Sequence, residues 1–221
     1  MTNSIQVINL SKSYGLKKAV KKINFKINEN EIIGLLGPNG CGKTTTIGMI
    51  LGLLKPSSGQ VLINGMSIED HRIFLLHRMN FLSPYIELPK KLSVKQNLVV
   101  YGKLYNVQNL NYKIEQLADE LRLKNLLNKI TGELSSGQKN RLNLAKALIN
   151  DPKVLLLDEP TASLDPETGD FIRAFLENYK KEKKISILLA SHNMNEVKRL
   201  CASILMMKDG IIIDAGKPDE L

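Results

Sequence analysis

Residues 37–45 read Gly-Pro-Asn-Gly-Cys-Gly-Lys-Thr-Thr, and their flanks give the stretch its force. An unbroken apolar run, Ile32, Ile33, Gly34, Leu35 and Leu36, precedes it, and Ile47, Ile50, Leu51 and Leu54 follow at helical spacing. A buried strand, a glycine-rich turn and a helix, in that order, are what a phosphate-binding loop requires. Gly37, Gly40 and Gly42 let the backbone around Pro38, Asn39 and Cys41 curl until its N–H groups point at one anion. The helix start at Thr44 and Thr45 adds about half a positive charge. Lys43 brings a full charge to the outer phosphates, and the Thr44 hydroxyl is placed to ligate Mg²⁺. With average residue usage the pattern arises by chance roughly once in 100 chains of this size, before the flanks are counted.

The chain has 221 residues, 43% hydrophobic and 24% charged, which suits one globular domain able to bury a sizeable core. No stretch approaches the ~18 apolar residues that would cross a bilayer, and the opening residues lack a secretory pattern, so a cytoplasmic protein is expected. Cys41 and Cys201 form no C-x-x-C pair, and His71, His77 and His192 make no metal-ligand spacing with them. Reduced thiols follow, with Cys41 expected to be reactive because Lys43 stands near it. Much of the net charge of +9 sits in Lys17, Lys18, Lys21 and Lys22 and in Lys180, Lys181, Lys183 and Lys184. Such runs are read as solvated faces, with nucleotide affinity or an anionic surface as the functional alternative.

Along the chain, Ile23, Phe25 and Ile27 alternate with polar residues, the period of a half-buried antiparallel strand. Tyr14 lies just before them, where an aromatic ring can stack on a base. Residues 59–65 alternate again and end in Asn64-Gly65, a hairpin turn. From Leu92 to Leu127 the apolar spacing is helical, with Pro84 and Pro89 at the entry. Leu134-Ser135-Ser136-Gly137-Gln138 then opens another helix, capped by Ser135 or Ser136. Val154-Leu155-Leu156-Leu157 has the run of a strand covered on both faces and ends in Asp158 and Glu159, at the strand terminus where open α/β sheets bind ligands. Adjacent acids on a strand point different ways, so one can serve Mg²⁺ while the other polarises water. Ile185 to Ala190 gives a further buried strand with His192 just beyond its end, and Asp209-Gly210 turns a last hairpin.

Taken in order, these residues resemble the ATP-binding cassette of the ABC superfamily over nearly the whole chain. Residues 37–45 correspond to Walker A and 154–159 to Walker B. Leu134 to Gln138 is similar to the L-S-G-G-Q motif, Ala162-Ser163-Leu164-Asp165 to the D-loop, His192 to the switch histidine and Tyr14 to the adenine-stacking aromatic. The resemblance implies an α/β fold: a P-loop NTPase core with a mostly parallel sheet, an antiparallel β subdomain and an inserted α-helical subdomain. It implies one cassette over residues 1–221, with a core lobe at about 1–83 and 150–221 and a helical subdomain at about 84–149.

It further implies an ATPase that uses ATP and Mg²⁺. Glu159 and His192 would be catalytic, and Thr44 and, through water, Asp158 would hold the metal. ATP would lie between residues 37–45 and Ser135, Ser136, Gly137 and Gln138 of a second cassette, in a head-to-tail homodimer. The expected partner is a transmembrane permease on a separate chain, of exporter type, reached from the inner face of the cell membrane. A soluble relative acting on ribosomes or nucleic acid is the alternative, and no nucleic acid is expected. Two positions depart from the family pattern. Ser136 replaces the first motif glycine, and Pro84 falls where the Q-loop glutamine belongs, leaving Ser83 or a water to substitute.

Overall fold

The computed structural model describes residues 3–84 and 86–220. Its strands are β1 (Asn3–Tyr14), β2 (Lys17–Asn28), β3 (Ile32–Leu36), β4 (Ser58–Ile63), β5 (Met66–Ser67), β6 (Met79–Leu82), β7 (Val154–Asp158), β8 (Ser186–Ser191), β9 (Ser203–Lys208) and β10 (Ile211–Gly216). Its α-helices are α1 (Lys43–Ile50), α2 (Arg72–Leu76), α3 (Val94–Leu104), α4 (Leu110–Glu120), α5 (Ser136–Leu148), α6 (Pro166–Lys183) and α7 (Met194–Leu200).

The strands form two sheets, a four-stranded one ordered β2-β1-β4-β5 and a six-stranded one ordered β10-β9-β3-β8-β7-β6. The first is antiparallel throughout. The second is parallel except where β10 returns against β9. The fold is therefore α/β, with the mostly parallel sheet and the antiparallel sheet that the sequence predicts. Both expected hairpin turns are of the left-handed kind that a two-residue loop needs: Asn64 and Gly65 have φ of 48° and 78°, Asp209 and Gly210 of 48° and 82°.

Burial explains the difference between the sheets. Every residue of β3, β7 and β8 is buried, as parallel strands covered on both faces must be. Successive side chains go to opposite faces. Leu155, Leu157, Ile187 and Leu189 join a core with α3, α4, α5 and α6. Leu156, Leu188, Ile33 and Leu35 join a second core with α1 and the antiparallel sheet. In β2, by contrast, Ile23, Phe25 and Ile27 are buried while Lys22 and Lys26 face water.

The helix ends are locally encoded. Ser135 caps α5: its Oγ accepts from Gln138 N–H at 3.3 Å, and Gln138 Oε1 accepts from Ser135 N–H at 3.0 Å. Asp165 caps α6 with Pro166 behind it. Lys180, Lys181 and Lys183 lie in the last turn of α6, where the helix dipole favours cations, which gives that lysine run a local role.

Candidate functional site

The six-stranded sheet brings three strand ends together. Leu36 of β3 pairs with Ser191 of β8, and Asp158 of β7 pairs with Ala190, so the loop after β3, the two acids and His192 emerge side by side. Gly37 donates its N–H to Ser191 O at 3.3 Å. A Cβ at Gly37 would stand 2.1 Å from the Met207 carbonyl oxygen, so only glycine fits. Gly40 and Gly42 have φ of 80° and 115°, the left-handed region that favours glycine. The start of α1 has no side-chain cap and no acid in its first turn, which leaves its amides for an anion.

Lys43 is only 5% exposed. Its Nζ donates to Gly37 O at 2.6 Å and Pro38 O at 3.2 Å and lies 3.8 Å from Glu159 Oε1. The ammonium is thus folded back over its own loop. Pro38, Asn39 and Gly40 are exposed and Thr45 is half-buried. Cys41 corrects the expectation of a reactive thiol. Its side chain is buried in the core with α1, and its backbone N–H donates to Pro38 O at 3.3 Å. A thiol enclosed by apolar side chains is shielded from solvent reagents, whatever charge stands nearby in sequence.

The two acids are held differently. Asp158 is buried and accepts from Thr44 Oγ1 at 3.0 Å. Burial raises its pKa, and the Thr44 hydrogen bond opposes that rise. Glu159 is 8% exposed and has φ of 51°, which turns its side chain out of the strand line. A glutamate there is strained, and such outliers gather at functional sites. Its Oε1 is 2.8 Å from Nδ1 of His192, whose side chain is 55% exposed.

The residues present fit Mg²⁺ bound together with phosphate. Thr44 and Asp158 offer hard oxygen ligands 3.0 Å apart, and Mg²⁺ is ordinarily held by one or two protein oxygens plus substrate phosphates. Among the described residues no three His, Cys, Asp or Glu side chains cluster into an all-protein metal cage.

The cleft over the loop is walled by Tyr14, Lys17, Asn39, Thr45, Asp158 and Glu159. Tyr14 is 49% exposed, with Lys12 Nζ 5.2 Å from its ring centroid. Lys17 belongs to the lysine run that the sequence reads as a solvated face, and one-dimensional charge gives no sign that one member turns to the cleft. Ser135, Ser136, Gly137 and Gln138 are not among the residues lining it. Ser135 and Ser136 are exposed at the head of α5, and Gly137 packs on Thr168 of α6. Ser83 is buried one residue beyond the Leu82–Leu157 pair, and Pro84 is exposed. Sequence reasoning missed Asn140, whose Nδ2 donates to Pro160 O at 2.8 Å, and the hydroxyls of Thr161 and Ser191, which bond to buried Glu196.

The chain is similar to known proteins over nearly its whole length. The family model described as ABC transporter matches residues 20–162. Nod factor export ATP-binding protein I of Rhizobium meliloti is 36% identical over 222 residues, which is 100% of this chain and 66% of that protein. The chain therefore spans about two thirds of that curated relative. The structure of cbiO1 from Clostridium perfringens, part of the ABC transporter complex cbiONQ, matches with a TM-score of 0.88 at 32% identity, covering 100% of this chain and 90% of that one. A dimeric ATP-binding cassette in a post-hydrolysis state, bound to ADP and Pi, matches with a TM-score of 0.88 at 25% identity, covering 97% and 98%.

Proposed function

The chain belongs to the ABC transporter family of ATP-binding ATPases, and from that premise we propose that it powers export through a permease carried on a separate chain. The observation that carries the ATP-hydrolysing core of this reading is Glu159, held between Lys43 and His192 and beside the Thr44–Asp158 pair. The Nod factor export relative favours the export direction, and cbiO1, as part of a complex, favours a separate permease. Among the described residues no helix is long and apolar enough to cross a membrane; in this reading the chain meets the permease at its cytoplasmic face.

In this reading the phosphates of ATP occupy the curl of residues 37–45, and the Lys43 ammonium leaves the Gly37 and Pro38 carbonyls for the outer phosphates. Tyr14 stacks on the adenine. The Thr44 hydroxyl and, through water, Asp158 would hold Mg²⁺, which would supply charge neutralisation at the phosphates. Glu159 orients the attacking water and takes up its proton. His192 fixes the Glu159 carboxyl through Nδ1 and reaches the γ-phosphate with the other edge of its ring. Because Ser135 and Ser136 are exposed and none of Ser135 to Gln138 lines the cleft, this segment acts on the nucleotide of a second copy, head to tail. The dimeric, ADP- and Pi-bound structure supports pairing of two cassettes.

Glu159→Gln keeps the side chain's shape and removes the proton acceptor. It should bind ATP like the wild type, lose 10²-fold or more in turnover and accumulate as an ATP-bound dimer. Phosphate release from Mg-ATP is the measurement, and wild-type turnover in Glu159→Gln sinks the assignment.

A further inference from the structure

Building on that reading of Glu159 and His192, we propose that Glu196 is a positioning residue that sets the separation between them. Glu196 lies on α7 and is 2% exposed. Its carboxyl oxygens are taken by hydroxyls from two different strand ends. Oε1 accepts from Thr161 Oγ1 at 2.6 Å, and Oε2 accepts from Ser191 Oγ at 2.7 Å. Thr161 stands two residues after Glu159, and Ser191 immediately before His192. One buried carboxyl therefore ties together the two loops that carry the reacting pair.

Other bonds make this tie rigid. Asn193 Oδ1 accepts from the N–H groups of Asn195 and Glu196 at 2.9 and 3.3 Å, which fixes the first turn of α7. The Asn193 N–H donates to Ser191 Oγ at 3.0 Å, so that hydroxyl is held from both sides. Gly34 of β3 has no Cβ where Val197 packs, so α7 sits directly against the central strand. Arg173 Nη1 approaches Thr161 Oγ1 at 3.5 Å. A buried carboxyl is tolerated only while its hydrogen bonds are made, and the bond to Thr161 fails if the two loops move apart. The backbone bond from Glu159 N–H to Ala190 O at 2.8 Å fixes only the base of the site. The half-exposed His192 ring depends on the loop above it. Val197 and Leu200 already supply the apolar packing of α7, so a buried glutamate beside them is explained by what it bonds.

The test measures steady-state ATP hydrolysis by the purified full chain. Glu196→Gln offers one acceptor where two are needed. Turnover should fall about tenfold to a hundredfold, the range that loss of alignment produces, with KM for ATP changed by less than about threefold. In a His192→Ala background the same substitution should change turnover by less than about twofold, because the group it positions is gone. Glu196→Asp, which keeps both oxygens, should recover part of the loss. Thr161→Val and Ser191→Ala each remove one of the two bonds and carry the same prediction if Glu196→Gln does not fold. Wild-type turnover in Glu196→Gln, or in both hydroxyl variants, overturns the proposal, and so does an equal loss with and without His192. Glu159→Gln separates the two claims. If it is inactive while Glu196→Gln is fully active, only the role of Glu196 falls. If Glu159→Gln is itself active, the reading of the site fails first and takes this role with it.

Discussion

An ammonium as deeply buried as that of Lys43 must be paired, and here its partners are two carbonyls of its own loop and the Glu159 carboxylate. Those bonds hold the loop curled with the charge already inside it. Replacing the cation, as in Lys43→Met, removes charge-assisted bonds worth about 1.5–3 kcal/mol. ATP affinity measured by equilibrium binding should fall at least tenfold. The loop glycines differ in what they contribute. At Gly37 an added methyl meets the Met207 backbone carbonyl at 2.1 Å, a neighbour that cannot rotate away. At Gly40 nothing lies within 4 Å, and only the positive φ resists. Gly37→Ala should therefore lower stability by about 3 kcal/mol and Gly40→Ala by about 1–2 kcal/mol, read from denaturant midpoints. Equal losses would mean that Met207 does not crowd the loop.

Helix α5 shows how an element can carry a feature that its sequence hides. Lys146 sits on its inner side, where Nζ donates to Phe81 O at 3.1 Å and Asn80 Oδ1 at 3.3 Å and lies 5.5 Å from the Tyr101 ring centroid. Burial pushes its pKa down to about 8 from 10.5. Between about pH 8 and pH 10.5 the folded chain has lost a proton that the unfolded chain still binds. Stability therefore gains from this group as pH rises through that window, by at most on the order of 3 kcal/mol. Lys146→Met should flatten that rise, which urea denaturation at pH 7.5, 9 and 10 measures as the difference between the two proteins. The α7–β3 contact is equally specific. A Cβ at Gly34 would meet Val197 Cγ1 at 2.4 Å, so Gly34→Ala should displace α7 and reduce ATP turnover together with stability.

At the scale of the molecule, alternate residues of β3, β7 and β8 feed two cores, one under the helices and one under the antiparallel sheet. The loop after β3 therefore sits where both cores end. The segment Ser135 to Gln138 does not line that cleft, and the head-to-tail dimer can be tested without disturbing the monomer. Ser136 is exposed and is not the capping residue. An acid at this helix start favours the dipole by about 0.3–1 kcal/mol but repels the phosphates of a facing nucleotide. In the Glu159→Gln background, Ser136→Glu should keep ATP binding within about threefold and abolish the ATP-dependent shift to a dimer in size-exclusion chromatography. A dimer of undiminished stability would remove Ser136 from the interface.

Features that depend on neighbours in sequence were legible from the sequence alone. The glycine loop, the alternation in β2, the buried runs of β7 and β8 and a serine cap at 135 or 136 each follow from local spacing, because backbone conformation and side-chain direction repeat over a few residues. The short edge strand β6 was not legible, since Met79 and Asn80 are both buried and no alternation marks it. The site itself needed the tertiary structure. Strand register joins Thr44 to Asp158 across 114 residues and His192 to Glu159 across 33. The same packing buried Cys41, turned Lys17 to the cleft and placed Glu196 beneath two loops. A sequence states which groups are present, but their distances are set by how sheets and helices pack.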